Sequence, residues 1–165
     1  EVNIQRKMAE LRFLSQGMEL NHAALLAEFQ QAGKMGTVAG RKLGLELAHF
    51  YVNDFDGTDE GEMLLLQILE QCGVGEEAVA AGATSLLGDL YRSQNRYQEA
   101  AGYFLQAAQS YLAMGDLHEE AASALYRGAE SFDAAGMTAD SRAVAHQLAT
   151  LFPKSPWTRA AKIFL

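Results

Sequence analysis

The sequence predicts an all-α protein, and three features of its composition and patterning carry that prediction. The 165 residues include 28 alanines against 15 β-branched residues, and only two prolines. Alanine has the highest helix propensity, whereas β-branched residues lose side-chain freedom in a helix. Apolar residues recur at i, i+3 and i+4 through most of the chain, as in Leu87, Leu90 and Tyr91. A fold based on a sheet is therefore disfavoured.

The same periodicity divides the chain into nine helices, bounded by residues that typically start or end a helix. Ser155 followed by Pro156 is typical of an N-cap and a first helical turn. Glycines stand where the other patterns stop: Gly33, Gly73, Gly115 and Gly136. The predicted helices cover residues 3–16, 19–32, 37–53, 59–72, 76–93, 97–113, 117–135, 139–151 and 156–164. The short connections between them predict antiparallel neighbours.

Charge and length narrow the classes of partner. The formal net charge is −8 and the basic residues form no cluster, so the electrostatic signature of a nucleic-acid-binding protein is missing. No apolar run approaches the roughly 20 residues of a membrane span. A single cysteine, Cys72, can form neither an internal disulfide nor a cysteine-based zinc site. We expect a protein or peptide partner, and we expect the chain, which begins at Glu1, to be a fragment of a longer protein.

The acidic segment 53–62 contains a fragment of a calcium loop, Asp-x-Asp-Gly at its centre. Aligning Gly57 with the turn glycine of such a loop puts Val52 at the first ligand position and Met63 at the twelfth. Both positions require acids. We therefore predict a solvated loop and no calcium site.

Three other segments resemble catalytic or phosphate-binding motifs only in part. His118 precedes two glutamates, but a zinc peptidase helix would need a second histidine where Ala122 stands. The glycine-rich segment 33–42 lacks the spacing of a phosphate-binding loop and is predicted to be a turn between helices. Cys72 lies at an apolar helix end, where it is expected to pack as a small hydrophobic residue. The sequence therefore predicts no enzyme, no metal and no cofactor.

Two segments share a spacing of small and aromatic residues. In residues 81–114, the small residues Gly88 and Ala100 would let two helices approach, while Tyr91 and Phe104 would fill the space between pairs. These residues lie at the spacings of the 34-residue tetratricopeptide repeat (TPR), which the segment resembles. Thr84 and Leu112 stand where that repeat commonly has tryptophan and proline. A second unit, 122–155, follows 41 residues on instead of 34, which predicts a longer second helix or a longer connection in the first unit.

The resemblance to the TPR superfamily implies one domain over residues 1–165, in which helical hairpins stack as a right-handed superhelix of about nine helices. Two pairings of the weaker region 3–72 are open. The preferred one pairs 3–16 with 19–32 and 37–53 with 59–72. The other rests on a constant offset of 97 residues between His49 and His146 and between the turns that follow them, and it leaves 59–72 without a partner.

The resemblance also implies a binding site, because the first helix of each TPR hairpin lines a concave groove. The positions that match it in the first unit are Gly82, Ser85, Asp89, Arg92 and Ser93, and those in the second unit are Ser123, Tyr126, Glu130 and Asp133. Such a groove would be polar and acidic, with Arg92 and Tyr126 as anchors. Arg92 is expected to pair with a carboxylate of the ligand or with Asp89.

The C-terminal segment is apolar where a repeat array normally needs a polar cap. A second docking patch is therefore predicted at Phe152, Trp157 and Phe164, covered by a partner or by a following helix. The segment 152–164 also resembles the repeat ends of bacterial envelope TPR proteins of the Tol-Pal coordinator and outer-membrane assembly lipoprotein types, which favours the periplasm or cell envelope over the cytoplasm.

Two functions follow from these observations. The first is a non-catalytic protein-interaction or assembly scaffold that binds a partner in the groove. The second is a structural or self-associating segment of a longer repeat protein.

Overall fold

A computed structural model describes Gly17, Glu19 and residues 21–53 and 58–165. This part of the chain is helical and contains no strand. Residues 21–31 are helical and are called α1. The following helices are α2 (Val38–Asn53), α3 (Thr58–Gln71), α4 (Glu77–Ser93), α5 (Tyr97–Met114), α6 (His118–Ala134), α7 (Thr138–Leu151) and α8 (Pro156–Ala160). Short 3-10 turns cover Lys34–Gly36 and Ala161–Phe164.

The predicted helices from 37–53 to 139–151 agree with α2 to α7 to within one residue at each end. Gly33, Gly115 and Gly136 adopt positive φ angles of 85°, 80° and 75°, as helix-ending glycines do. After α3 the positive φ belongs to Gly75 instead of Gly73. The Ser155 side chain accepts a hydrogen bond from the Trp157 amide at 3.3 Å, so the predicted N-cap is confirmed. The predicted helix 3–16 lies outside the described residues.

The helices pack in consecutive pairs: α2 with α3, α4 with α5, and α6 with α7. Each second helix also contacts the first helix of the next pair, as α3 does with α4 and α5 with α6. The segment 59–72 therefore has a partner on both sides, as the preferred pairing predicts. Leu25, Leu26 and Phe29 of α1 pack against the same apolar core as α2 and α3.

Two apolar clusters run through the stack. The first joins α1 to the α4–α5 pair, and the second joins that pair to α7 and the C-terminal turn. Phe104 is fully buried at the end of the first cluster. A Cβ atom added at Gly88 would lie 2.8 Å from the Phe104 ring, so the two helices approach closely because this residue has no side chain.

Of the seven residues by which the 41-residue spacing exceeds 34, four correspond to the extra length of α5 relative to α7. Helix α5 has 18 residues, whereas α7, the second helix of the next pair, has 14. The connection that follows α5 spans only residues 115–117. The longer second helix, one of the two explanations that the sequence left open, thus accounts for most of the difference.

A buried ion pair holds the start of α2 to the turn before α4. The Arg41 guanidinium donates to both carboxylate oxygens of Glu76 at 2.8 and 2.7 Å, and to the Met35 carbonyl at 2.7 Å. The Gly73 amide donates to Glu76 at 3.0 Å. The hydrogen bond from Arg41, helped by the one from Gly73, lowers the pKa of Glu76 to about 2. The carboxylate is therefore charged at any physiological pH.

Candidate functional site

The first helices of three consecutive pairs line one groove. Its main cavity has a volume of about 510 Å³ and lies between α2, α4 and α6, with one residue of α5 at its base. The lining residues are Leu45, His49, Asn53, Gly82, Ser85, Leu86, Asp89, Arg92, Tyr111 and Arg127. A second cavity of about 340 Å³ continues toward α8 and is lined by Ser85, Tyr111, Glu119, Glu120, Ser123, Arg127 and Trp157. Since the cavities share three residues, they form adjacent parts of one concave groove.

Two polar stripes face each other across this groove. On α4 the stripe is Ser85, Asp89 and Arg92, and on α6 it is Ser123, Arg127 and Glu130. Both follow the i, i+4, i+7 spacing that brings side chains to one face of a helix. The charges are reversed between the stripes, so that each arginine faces a carboxylate 38 residues away in the sequence.

These facing charges form ion pairs. Arg127 donates to Asp89 at 2.6 Å, and Arg92 donates to Glu130 at 2.5 Å. Arg92 also lies 3.4 Å from the other oxygen of Asp89, three residues earlier in its own helix. One of the two expected partners of Arg92 is thus present within the chain, and Glu130 adds a second. The groove wall contains two arginines and two carboxylates that neutralise one another.

Burial has the largest effect on the pKa of Asp89. Loss of solvent raises the pKa of this carboxyl, although the charges of Arg127 and Arg92 act in the opposite direction. Beneath the network, the guanidinium carbons of Arg92 and Arg127 lie 6.0 and 5.8 Å from the centroid of the Phe104 ring. Both arginines are held between this ring and their carboxylates, which restricts their motion.

The structure places the predicted groove residues in three environments. Ser85, Asp89, Arg92 and Ser123 line the cavities. Glu130 lies at their edge as the partner of Arg92. Tyr126 and Asp133 lie elsewhere: Asp133 is exposed near the end of α6, and Tyr126 packs against Trp157, with ring centroids 5.3 Å apart. Of the other two positions, Gly82 lines the main cavity and Ser93 is exposed.

Sequence reasoning missed Arg127 and Tyr111. A signal for Arg127 was present, because it lies four residues after Ser123 and three before Glu130 and so completes a polar stripe. No comparable signal marked Tyr111, which is on a second helix and reaches the groove from beneath. His49 and Asn53 of α2 were missed because the repeat pattern is weak in that region.

The three residues of the predicted C-terminal patch are half-buried and pack against the second apolar cluster. The Phe152 ring lies 5.9 Å from His118, and the Phe164 ring lies 6.1 Å from Tyr126. The residues around them are more open to solvent: Leu151, Ile163 and Leu165 are all exposed, Ile163 by 79%.

Within the described ranges, no group of three His, Cys, Asp or Glu side chains could hold a metal ion. Residues 54–57 of the acidic segment lie outside those ranges. None of the helices that the structure describes is long and apolar enough to span a membrane. Cys72 is a half-buried free thiol packed against the first cluster, and burial raises its pKa.

Consecutive antiparallel helical pairs whose first helices line a common groove define a helical-repeat architecture, consistent with a TPR-like fold. The profile of the family described as "Tetratricopeptide repeat" matches residues 123–155, which cover most of α6 and all of α7. The second unit predicted from the sequence, 122–155, is therefore confirmed as similar to this repeat. No significant match was found among curated proteins or among solved structures.

Proposed function

We propose that this chain is a non-catalytic interaction module that binds an extended or helical segment of a partner protein in its concave groove. The observation that carries the proposal is the alignment of α2, α4 and α6 along cavities of about 510 and 340 Å³. A groove of this kind is preformed, so little ordering entropy is lost by the receptor on binding. The match of residues 123–155 to the TPR family supports the same function.

The paired charges in the groove wall determine which substitution can test the proposal. A variant such as Arg92→Glu would break the ion pair with Glu130 and place a third carboxylate beside Asp89, so it would disturb the wall and the ligand together. Ser85 is a better site, because it lines both cavities and makes no ion pair. Ser85→Tyr fills the groove from a position that solvent already reaches.

The test is affinity capture from a lysate of the source cell with the wild-type chain, with Ser85→Tyr and with Gln106→Tyr. Gln106 is exposed on α5 and lines neither cavity, so its variant is the matched control. We expect a partner that the wild type and the control retain and that Ser85→Tyr loses. Equal capture by all three proteins would show that the groove is not the binding site.

A structural or self-associating segment is the second candidate, and it is favoured by the exposed Leu151, Ile163 and Leu165 at the C-terminal end. This function predicts a molecular mass that rises with concentration in sedimentation experiments. Ile163→Asp should abolish that rise, whereas Val74→Asp, which changes a still more exposed apolar residue in the turn before α4, should not. A concentration-independent monomer mass would exclude self-association.

The setting that we propose for either function is the bacterial cell envelope. Its support is the resemblance of segment 152–164 to the repeat ends of envelope TPR proteins. Fractionation of source cells, with detection of the parent protein in the periplasmic and cytoplasmic fractions, tests this part of the proposal. Recovery in the cytoplasmic fraction would contradict it.

A further inference from the structure

Two carboxylates lie in the part of the groove next to α8, and that of Glu119 also lines a neighbouring cavity with His118 and Lys154. Glu119 and Glu120 lie in the first turn of α6, are exposed, and line or border the cavity of about 340 Å³. Neither makes an ion pair with any described residue. Arg127 is the one basic residue among those that line this cavity. Its guanidinium already forms an ion pair with Asp89, with a nitrogen–oxygen distance of 2.6 Å. The cavity is therefore electronegative.

Tyr111 supplies a largely buried side chain with a polar group that is available to a ligand in this cavity. Its side chain lines both cavities and is only 9% exposed. Its hydroxyl nevertheless makes no hydrogen bond with any residue that the structure describes. The hydroxyl is accessible from the cavities, where it can donate to a ligand or to water. Burial, together with the negative charge of Glu120, raises the pKa of Tyr111, so the hydroxyl keeps its proton at neutral pH.

An aromatic ring forms another wall. Trp157 lines the cavity and is fixed by its contact with Tyr126, whose ring centroid lies 5.3 Å away. The faces of tryptophan and tyrosine rings carry negative electrostatic potential and attract cations. Two carboxylates, a tyrosine and a tryptophan around one cavity therefore favour a positively charged group over a neutral or negative one. Ser85 and Ser123 add hydroxyls that can bind the backbone of a peptide.

We propose that this end of the groove binds the ammonium or guanidinium group of a lysine or arginine side chain in the partner segment. The cation lies between the carboxylates of Glu119 and Glu120 and the rings of Tyr111 and Trp157. This specificity rests on the proposed function, since it assigns one subsite of the same groove. The preferred ligand of this acidic chain is then a partner segment that has a basic residue at one defined position.

The experiment uses peptides of random sequence displayed on phage and selected on the wild-type chain. Peptides that also bind Ser85→Tyr are discarded, so that only groove ligands remain. For each remaining peptide, the basic residue is replaced by norleucine, which keeps an unbranched aliphatic side chain and removes the charged group. Dissociation constants are read from the fluorescence of Trp157, the only tryptophan of the chain.

We expect the groove ligands to share a lysine or arginine at one position, and its replacement by norleucine to raise Kd about tenfold. In the double variant Glu119→Gln/Glu120→Gln this difference should disappear. The control Glu60→Gln/Glu70→Gln removes the same charge from exposed residues of α3 and should retain the difference. Tyr111→Phe should weaken binding of the basic peptide without lowering the free energy of unfolding.

Three results would overturn the inference. Groove ligands without a shared basic residue, or a tenfold difference that persists in the double variant, would remove the cation subsite and leave the groove as a binding site. If every selected peptide binds Ser85→Tyr as well as it binds the wild type, the groove is not used. The proposed function then fails, and this inference fails with it.

Discussion

At the scale of single residues, two buried serines in the second TPR-like unit differ in their hydrogen bonding. Ser141 is 1% exposed, and its hydroxyl is buried without a hydrogen-bond partner among the described residues. Ser131 is fully buried, and its hydroxyl donates to the Arg127 carbonyl at 2.7 Å. In the first unit, Ala100 occupies the position that corresponds to Ser141, so this part of the stack accepts alanine.

Ser141→Ala should therefore stabilise the protein, by about 1 kcal/mol, because it removes an unsatisfied polar group and raises helix propensity. Ser131→Ala has the same gain in propensity but loses a hydrogen bond, and should be neutral or destabilising. Urea unfolding followed by circular dichroism measures both. A loss of stability in Ser141→Ala would mean that its hydroxyl has a partner after all.

Gly88 and Gly102 form a second matched pair, both within helices. A Cβ at Gly88 would lie 2.8 Å from the buried Phe104 ring, whereas a Cβ at Gly102 has no neighbour within 4 Å. Gly88→Ala should cost about 1–3 kcal/mol through overpacking, which outweighs a gain of about 1 kcal/mol in helix propensity. Gly102→Ala should stabilise by about 0.5–1 kcal/mol. Equal effects of the two substitutions in urea unfolding would show that helix propensity alone decides both.

At the scale of elements, the ion pairs between α4 and α6 hold neighbouring hairpins in register. The Arg92 and Glu130 side chains are 37% and 40% exposed, so their interaction is screened by solvent and is worth about 0.5–1 kcal/mol. Asp89 is the more buried member of the network and belongs to the pair with Arg127. The two pairs together fix which residues of α4 face which residues of α6.

Charge reversal tests this register. Arg92→Glu and Glu130→Arg should each destabilise the protein, because each places like charges side by side. The double variant should recover part of the loss, since it restores the pair with exchanged partners but leaves a carboxylate at position 92 beside Asp89. A double-mutant cycle measured at low salt, and repeated at about 1 M salt where the coupling should shrink, checks the interaction. Additive losses would indicate that the two side chains do not interact in solution.

At the scale of the whole molecule, Arg41 and Glu76 link the N-terminal region to the hairpin that contains the groove wall. The pKa of Glu76 is lowered from its ordinary 4.5 to about 2. A carboxylate whose pKa is lower in the folded state contributes stability that is complete above the unfolded pKa. This stability is lost as the pH falls from about 4.5 toward 2.

Glu76→Gln should therefore lower the free energy of unfolding at pH 7 and show a smaller further loss between pH 5 and 2 than the wild type. The comparison with the wild type isolates Glu76 from other carboxylates that titrate in this range, such as Glu99. Thermal unfolding as a function of pH provides the measurement. Parallel curves for the two proteins would contradict the assignment of the low pKa to this pair.

Local patterns in the sequence determined the helices and their ends, because hydrophobic periodicity, capping serines and terminal glycines act within one or two turns of backbone. They also indicated the unit 122–155, where the TPR profile matches residues 123–155, and the similar spacing in 81–114, where Gly88 and Phe104 are in contact within one hairpin. The position of Ser85, Asp89 and Arg92 in the groove followed from the same repeat spacing.

Only the tertiary structure decided how the units face each other. Equivalent positions in the two units are 41 residues apart. The repeat spacing therefore predicted that Tyr126 lines the groove at the position that Ser85 has in the first unit. The ion pairs across the groove instead join residues 38 apart, Asp89 with Arg127 and Arg92 with Glu130. The facing residues are thus displaced by three positions, about one helical turn, from the equivalent ones, and Tyr126 instead packs against Trp157 of α8. That displacement depends on packing between hairpins, which no periodicity within a single helix encodes.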